Sequence, residues 1–106
     1  MRAYNVAHQL YAHITWCTEK RVPLLESKIE EIFKDTIQEV CREENYQLIA
    51  AECVPDHIHL IVRFRPTHKL SDFIHLVKGR TSRLITRRTG QDFQWQKGYG
   101  IDTVGP

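Results

Sequence analysis

Pro55-Asp56-His57-Ile58-His59-Leu60-Ile61-Val62 is the stretch from which the fold unrolls. Pro-Asp favours a turn, and an apolar run carrying two histidines at i and i+2 follows it. On a strand, residues i and i+2 share one face and lie roughly 6.5–7 Å apart. His57 and His59 therefore stand on one side, and Ile58, Leu60, Val62 and Phe64 on the other. Two imidazoles at that separation can converge on one divalent ion, leaving positions for a third ligand, water or substrate. The plainer reading is a pair of half-exposed polar residues. The place of the pair, opening an apolar strand directly after a turn, favours a site presented by a rigid scaffold.

Just before this stretch, Tyr46–Val54 alternates Gln47, Ile49, Ala51 and Cys53 with Leu48, Ala50, Glu52 and Val54. That is a strand, and the Pro55-Asp56 turn pairs it with His57–Arg65 as a hairpin. Beyond Pro66, Ser71 is placed to cap a helix that runs to about Arg88, with Phe73, Ile74, Val77, Leu84 and Ile85 as its apolar side. Gly79 weakens this helix by roughly 1 kcal/mol against alanine and is expected to admit a close backbone; Gly90 follows the helix end. Nearer the N-terminus, Ser27–Glu44 carries Ile29, Ile32, Phe33, Thr36, Ile37, Val40 and Cys41 at helical spacing. Such a stripe packs a helix on a sheet. Ser27 and Glu30 have capping-box spacing, and Asn45 is a suitable stop. His8–Thr18 alternates Leu10, Ala12, Ile14 and Trp16 with Tyr11, His13, Thr15 and Cys17, the period of a strand. Phe93–Val104 is expected to be a last strand, broken or bulged at Gly98 and Gly100.

The order β-α-β-β-α-β predicts an α+β fold, a ferredoxin-like sandwich with a mostly antiparallel sheet and both helices on one face. With Ile58, Leu60 and Val62 turned to the helices, His57 and His59 face the open side. The 106 residues fit one domain, 1–106. There is no apolar run long enough for a membrane span and no signal-peptide core at the N-terminus, so a cytoplasmic protein is expected. Cys17, Cys41 and Cys53 form no C-x-x-C pair and are expected to be reduced and packed. The net charge is only +2, but it is divided. Glu26, Glu30, Glu31, Asp35, Glu39, Glu43 and Glu44 crowd the first helix. Arg63, Arg65, Lys69, Lys78, Arg80, Arg83, Arg87 and Arg88 follow the histidines. One basic face that meets an anion is implied.

Four segments carry a family resemblance. They are Tyr11-Ala12-His13-Ile14-Thr15-Trp16 with Lys20-Arg21-Val22-Pro23-Leu24-Leu25; Val54 to Val62; Lys78-Gly79-Arg80-Thr81-Ser82-Arg83-Leu84; and Trp95-Gln96-Lys97-Gly98-Tyr99-Gly100. In this order the chain resembles, over nearly its whole length, the HUH-type single-tyrosine transposases of small insertion sequences. These are TnpA-like proteins and include the REP-associated tyrosine transposases. The resemblance implies a homodimer that cuts and rejoins single-stranded DNA beside hairpins. It implies that His57 and His59 bind Mg²⁺ or Mn²⁺ and that a tyrosine attacks the scissile phosphate. In the family that tyrosine, and a glutamine one turn later that completes the metal site, sit on a helix after the last strand. Neither has a counterpart up to Val104-Gly105-Pro106, so no catalytic tyrosine is assigned and a chain truncated before it is expected. Tyr4, Tyr11, Tyr46 and Tyr99 do not match that position.

The same resemblance favours DNA contacts for Lys78, Arg80 and Arg83, since arginine forks suit phosphate. From composition alone these residues equally describe a solvated helix face. Tyr99 and Trp95 are candidates for stacking on unpaired bases, with core packing the simpler role for Trp95. His13 is a candidate neighbour of the metal site and Glu52 a candidate partner of a metal-bound imidazole. His8, His68 and His75 lack ligand spacing and are assigned to the surface. Two other functions stand beside the transposase: a hairpin-DNA-binding remnant without catalysis, and a histidine-triad-like nucleotide hydrolase. The second needs a third histidine where Ile61 stands.

Overall fold

The computed structural model describes residues 9–104. The elements run β1 (Leu10–Cys17), a 3₁₀ turn (Glu19–Arg21), α1 (Ser27–Glu43), β2 (Gln47–Val54), β3 (His57–Phe64), α2 (Leu70–Thr89) and β4 (Gly100–Val104). The sheet order is β2-β3-β1-β4, and every neighbouring pair is antiparallel. This is the expected βαββαβ sandwich.

Period-2 alternation fixes which side of the sheet is buried. Ala12, Ile14 and Trp16 from β1 and Ile58, Leu60 and Val62 from β3 are all buried. They meet Ile29, Ile32, Phe33, Ile37 and Val40 of α1 and Phe73, Ile74, Val77 and Ile85 of α2 in one core. The seven buried residues of α1 are the seven of the predicted stripe. At one end the core is aromatic: Trp95 lies edge-on to Trp16 and Phe33 at 5.8 Å and to Phe93 at 4.7 Å. The geometry is the one ring quadrupoles prefer, and Trp95 Nε1 donates to Thr81 Oγ1 at 2.9 Å. Trp95 is thus a core residue.

Five local expectations are corrected. Ser27 is not an N-cap: Glu26 holds that place, no side chain caps the helix, and Ser27 sits at φ +50°. Leu25, the residue before Glu26, is tied to Pro55 by N–H···O at 2.9 Å, so tertiary anchoring overrides capping. Ser71 is not a cap either; the cap position is two residues earlier, at Lys69, and α2 starts at Leu70. Residues 93–99 do not continue β4; only an isolated Thr18–Trp95 bridge forms there, because Phe93 and Trp95 are both drawn into the core. Gly79 admits no backbone. A Cβ there would meet the Arg83 guanidinium at 3.2 Å. Asn45 (φ +62°) and Gly90 (φ +73°) end their helices in the left-handed conformation, as expected. In β2 a bulge between Leu48 and Ala50 breaks the predicted alternation. His8 and Tyr4 lie outside the described residues.

Candidate metal centre and nucleic-acid interface

The turn that opens β3 is anchored from two sides. Thr18 N–H donates to Asp56 O and Leu25 N–H to Pro55 O, each at 2.9 Å. Neither Pro55 nor Asp56 has a positive φ, so the fixed φ of proline serves an ordinary turn rather than a glycine-dependent one. Asp56 is held directly before His57, and its carboxylate accepts from His57 Nδ1 at 2.7 Å. Arg21 reaches the other Asp56 oxygen at 3.5 Å. The His57 hydrogen bond first, and the Arg21 charge after it, hold the Asp56 carboxyl below the usual carboxylate range.

His59 has a different partner. Its Nδ1 lies 3.0 Å from His13 Nε2, and the two rings stack at 5.2 Å. With His59 as the donor, both histidines of the pair use Nδ1 for an outer partner, and Nε2 keeps its lone pair. The His57 and His59 rings lie 5.0 Å apart, edge to face. They border an open cleft of about 310 Å³ with Thr15, Cys17, Arg21 and Tyr99. Glu52 stands opposite His59 in the register but is exposed and makes no hydrogen bond to it among the described residues. The outer partners are therefore His13 and Asp56. His13 was legible as a polar residue on the right face of β1. Asp56 was hidden by its turn-forming role, although a carboxylate next to H-x-H is a usable signal.

Two imidazoles held in this way fit part of the donor set of a divalent cation. Nitrogen ligands suit Mn²⁺ better than Mg²⁺, which favours oxygen. Among the described residues no group of three His, Cys, Asp or Glu side chains could hold a metal. Water and phosphate oxygens would supply the other positions.

The family model described as "Transposase IS200 like" matches residues 6–106. The chain belongs to the IS200-like transposase family. It is 29% identical over 76 residues to the ISDra2 transposase TnpA of Deinococcus radiodurans, a match covering 72% of this chain and 54% of that protein. It is 27% identical over 101 residues to the transposase for insertion sequence element IS200 of Salmonella typhimurium, covering 88% of this chain and 66% of that one. The chain thus spans between about half and two thirds of these curated relatives. Among solved structures, a Deinococcus radiodurans protein described as a transposase superposes with a TM-score of 0.85 at 25% identity, over 92% of this chain and 81% of that chain. A REP-associated tyrosine transposase bound to a REP hairpin superposes at 0.70 over 94% of this chain and 58% of that one; at 17% identity it shows the fold.

In this member of the IS200-like family the three basic residues singled out on α2 have three different surroundings. Lys78 Nζ donates to Gln96 O at 2.8 Å and Gly98 O at 2.9 Å. Burial pulls its ammonium below the usual lysine value, yet the two carbonyls hold it, and it fixes the 96–98 segment beside the histidine cleft. Arg80 lies between the helices and pairs with Glu39 at 3.3 Å and Glu43 at 3.0 Å. Arg83 is exposed and has no carboxylate partner among the described residues; it borders a shallow surface groove with Ser82, Thr86 and Arg87. Tyr99 lines the cleft, 38% exposed, with the His75 ring edge-on at 6.4 Å. Among the described residues, no helix is long and apolar enough to cross a membrane.

Proposed function

We propose that this chain binds single-stranded and hairpin DNA at the ends of a mobile element, as a homodimer. It takes part there in metal-assisted cutting and rejoining by tyrosine transesterification. The observation that carries this reading is the His57–His59 pair. Both rings are oriented through Nδ1 by outer partners, face a cleft on the open side of the sheet, and sit in a chain of the IS200-like transposase family. The neighbour solved with a REP hairpin supports the choice of DNA.

His57 and His59 would hold Mn²⁺ or Mg²⁺ through Nε2. A divalent cation there supplies Lewis-acid polarisation of a phosphate oxygen as charge develops on it. Asp56 and His13 keep the two imidazoles in the liganding tautomer and orientation. Lys78 positions the Gly98-Tyr99-Gly100 edge of the cleft, where Tyr99 offers an exposed ring to an unpaired base. Of the three basic residues, Arg83 is the exposed one with no carboxylate partner among the described residues and is available to phosphate; Arg80 braces the helix that carries it. The attacking hydroxyl is not assigned within residues 1–106. Burial pushes the Tyr46 hydroxyl up to about 12, and Tyr11 donates its hydroxyl to Gln9. These placements support a second reading, a hairpin-binding role in which these residues do no strand transfer.

Calorimetry with Mn²⁺ tests the site. The parent chain should bind weakly, and the His57→Ala/His59→Ala variant should not bind. Equal heats from both would remove these histidines from metal binding.

A further inference from the structure

A groove of about 550 Å³ lies away from the histidines. It lies at the opposite end of β3, bordered by Gln9, Asn45, Gln47, Arg63, Arg65 and Pro66. We propose that this groove is a second phosphate-binding site, which grips the same DNA strand several nucleotides away from the histidine pair. It rests on the DNA reading above and extends it.

The first support is alignment. His57, His59, Ile61 and Arg63 have the same parity along β3, so the period of 2 turns them toward the same side, and Arg65 follows directly after the strand and lines the groove with Arg63. Within the strand, the inner residues Ile58, Leu60 and Val62 are buried, whereas Ile61 and Arg63 are exposed. At about 3.3 Å per residue, Arg63 and Arg65 stand roughly 13 and 20 Å from His59. That is about four to six nucleotides at the 3.4 Å per-strand spacing of a duplex, and fewer on an extended strand.

The second support is charge. Three of the described cations are held by carboxylates: Arg21 by Asp56, Lys34 by Glu30, and Arg80 by Glu39 and Glu43. Arg63 and Arg65 have no carboxylate partner among the described residues, and no carboxylate lines the groove. Arg63 Nη1 makes one long contact, 3.3 Å, to Gln47 Oε1. Two guanidinium forks among three amide side chains offer donors for phosphate oxygens and both donors and acceptors for base edges.

The third support is that the groove is built. His68 accepts from Arg65 N–H at its Nδ1, at 2.9 Å, and lies 3.0 Å from Glu44 O through Nε2. Its ring stacks on Tyr46 at 4.0 Å. One imidazole thus pins the Arg65–Pro66 bend to the corner between α1 and β2, where Asn45 turns the chain at φ +62°. His68, assigned to the surface from spacing alone, stands outside the groove's lining and holds the bend that forms its wall.

The test uses a DNA hairpin carrying single-stranded tails, on either side, from none to about nine nucleotides, titrated with the parent chain and with Arg63→Gln/Arg65→Gln. The parent should gain affinity as one tail lengthens, with the gain complete by about four to six nucleotides and earlier for an extended strand. The variant should lack that gain while binding the untailed hairpin as the parent does. Two lost single-strand phosphate contacts lower the salt slope by about 1.4, so the parent should lose about sevenfold more affinity than the variant between about 50 and 200 mM salt. Equal tail dependence and equal slopes, with both proteins binding the hairpin, would overturn the groove and leave the DNA reading standing. Failure of both proteins to bind any DNA would overturn that reading and the groove with it. Altered sedimentation of the variant with unchanged DNA affinity would assign the groove to protein contacts and overturn the proposal.

Discussion

Replacing Arg80 by glutamine separates a structural cation from a DNA-binding one. Arg80 is a quarter exposed and holds Glu39 and Glu43, one helical turn apart on α1, from its position on α2. Exposed ion pairs contribute about 0.2–1 kcal/mol each. Two pairs to one partly buried guanidinium come to about 1 kcal/mol. Removing the cation also leaves Glu39 and Glu43 facing each other at i,i+4, a repulsion of about 0.3 kcal/mol. The expected loss is about 1–1.5 kcal/mol, which for a domain of this size lowers Tm by about 5–8 °C. The loss should shrink in about 1 M salt, where screening falls to a few ångströms. Differential scanning calorimetry of the parent, Arg80→Gln and Arg83→Gln at low and high salt makes the comparison. Arg83→Gln should leave Tm unchanged and reduce the salt slope of DNA binding by about 1. An Arg80→Gln Tm within about 1 °C of the parent, or a loss unaltered by salt, would refute the assignment of Arg80 to the helix–helix brace.

Residues 1–106 incubated with labelled hairpin DNA and Mn²⁺ should give no covalent band on a denaturing gel; a metal-dependent band mapping to Tyr99 would place the nucleophile in the cleft itself. Burial pushes the Cys41 and Cys53 thiols up to about 11. Both should resist iodoacetamide at pH 8 until the protein is unfolded. The sign follows from the raised values: their contribution to stability is full below the ordinary thiol value near 9 and is lost as pH rises through 11, so Tm should fall across that window. At Gly100 a Cβ would come within 2.9 Å of Thr15 Oγ1. Gly100→Ala should therefore cost about 1–2 kcal/mol, and Thr15→Ala in the same chain should restore most of it, a non-additivity that urea titration would read.

What the sequence revealed and what it hid follow one physical line. Faces set by strict periodicity were legible, since burial on one side enforces them. The α1 stripe, the inner residues of β1 and β3, and the outward histidines needed no tertiary knowledge. Helix starts were not legible, because the chain before Ser27 is held by Pro55, far along the sequence. The last strand was overextended since Phe93 and Trp95 alternate like strand residues, yet each is bound individually into the aromatic core. The site followed the same rule. His57 and His59 were visible as a pair on one strand, whereas the His13 contact joins strands 46 residues apart. The partners of Arg80 and His68 also belong to distant elements, and composition could show only that they were basic or aromatic.

The sheet order has a consequence for synthesis. β1 is made first, and it pairs with β3 on one side and β4 on the other. The β2–β3 hairpin and the crossover close one flank as soon as β3 has emerged. The other flank waits for Gly100–Val104, about 80 residues after β1 itself. At about 5–20 residues per second, that is roughly 4–16 seconds with a hydrogen-bonding edge bare on the strand that carries His13 and Trp16. Nascent chains stalled before β4 should be cut within β1 by a protease that spares chains in which β4 has emerged. Five short residues at the end of the sheet thus decide when β1 of a freshly made chain stops offering its long edge as a template, leaving only the five-residue edge of β4 on that flank.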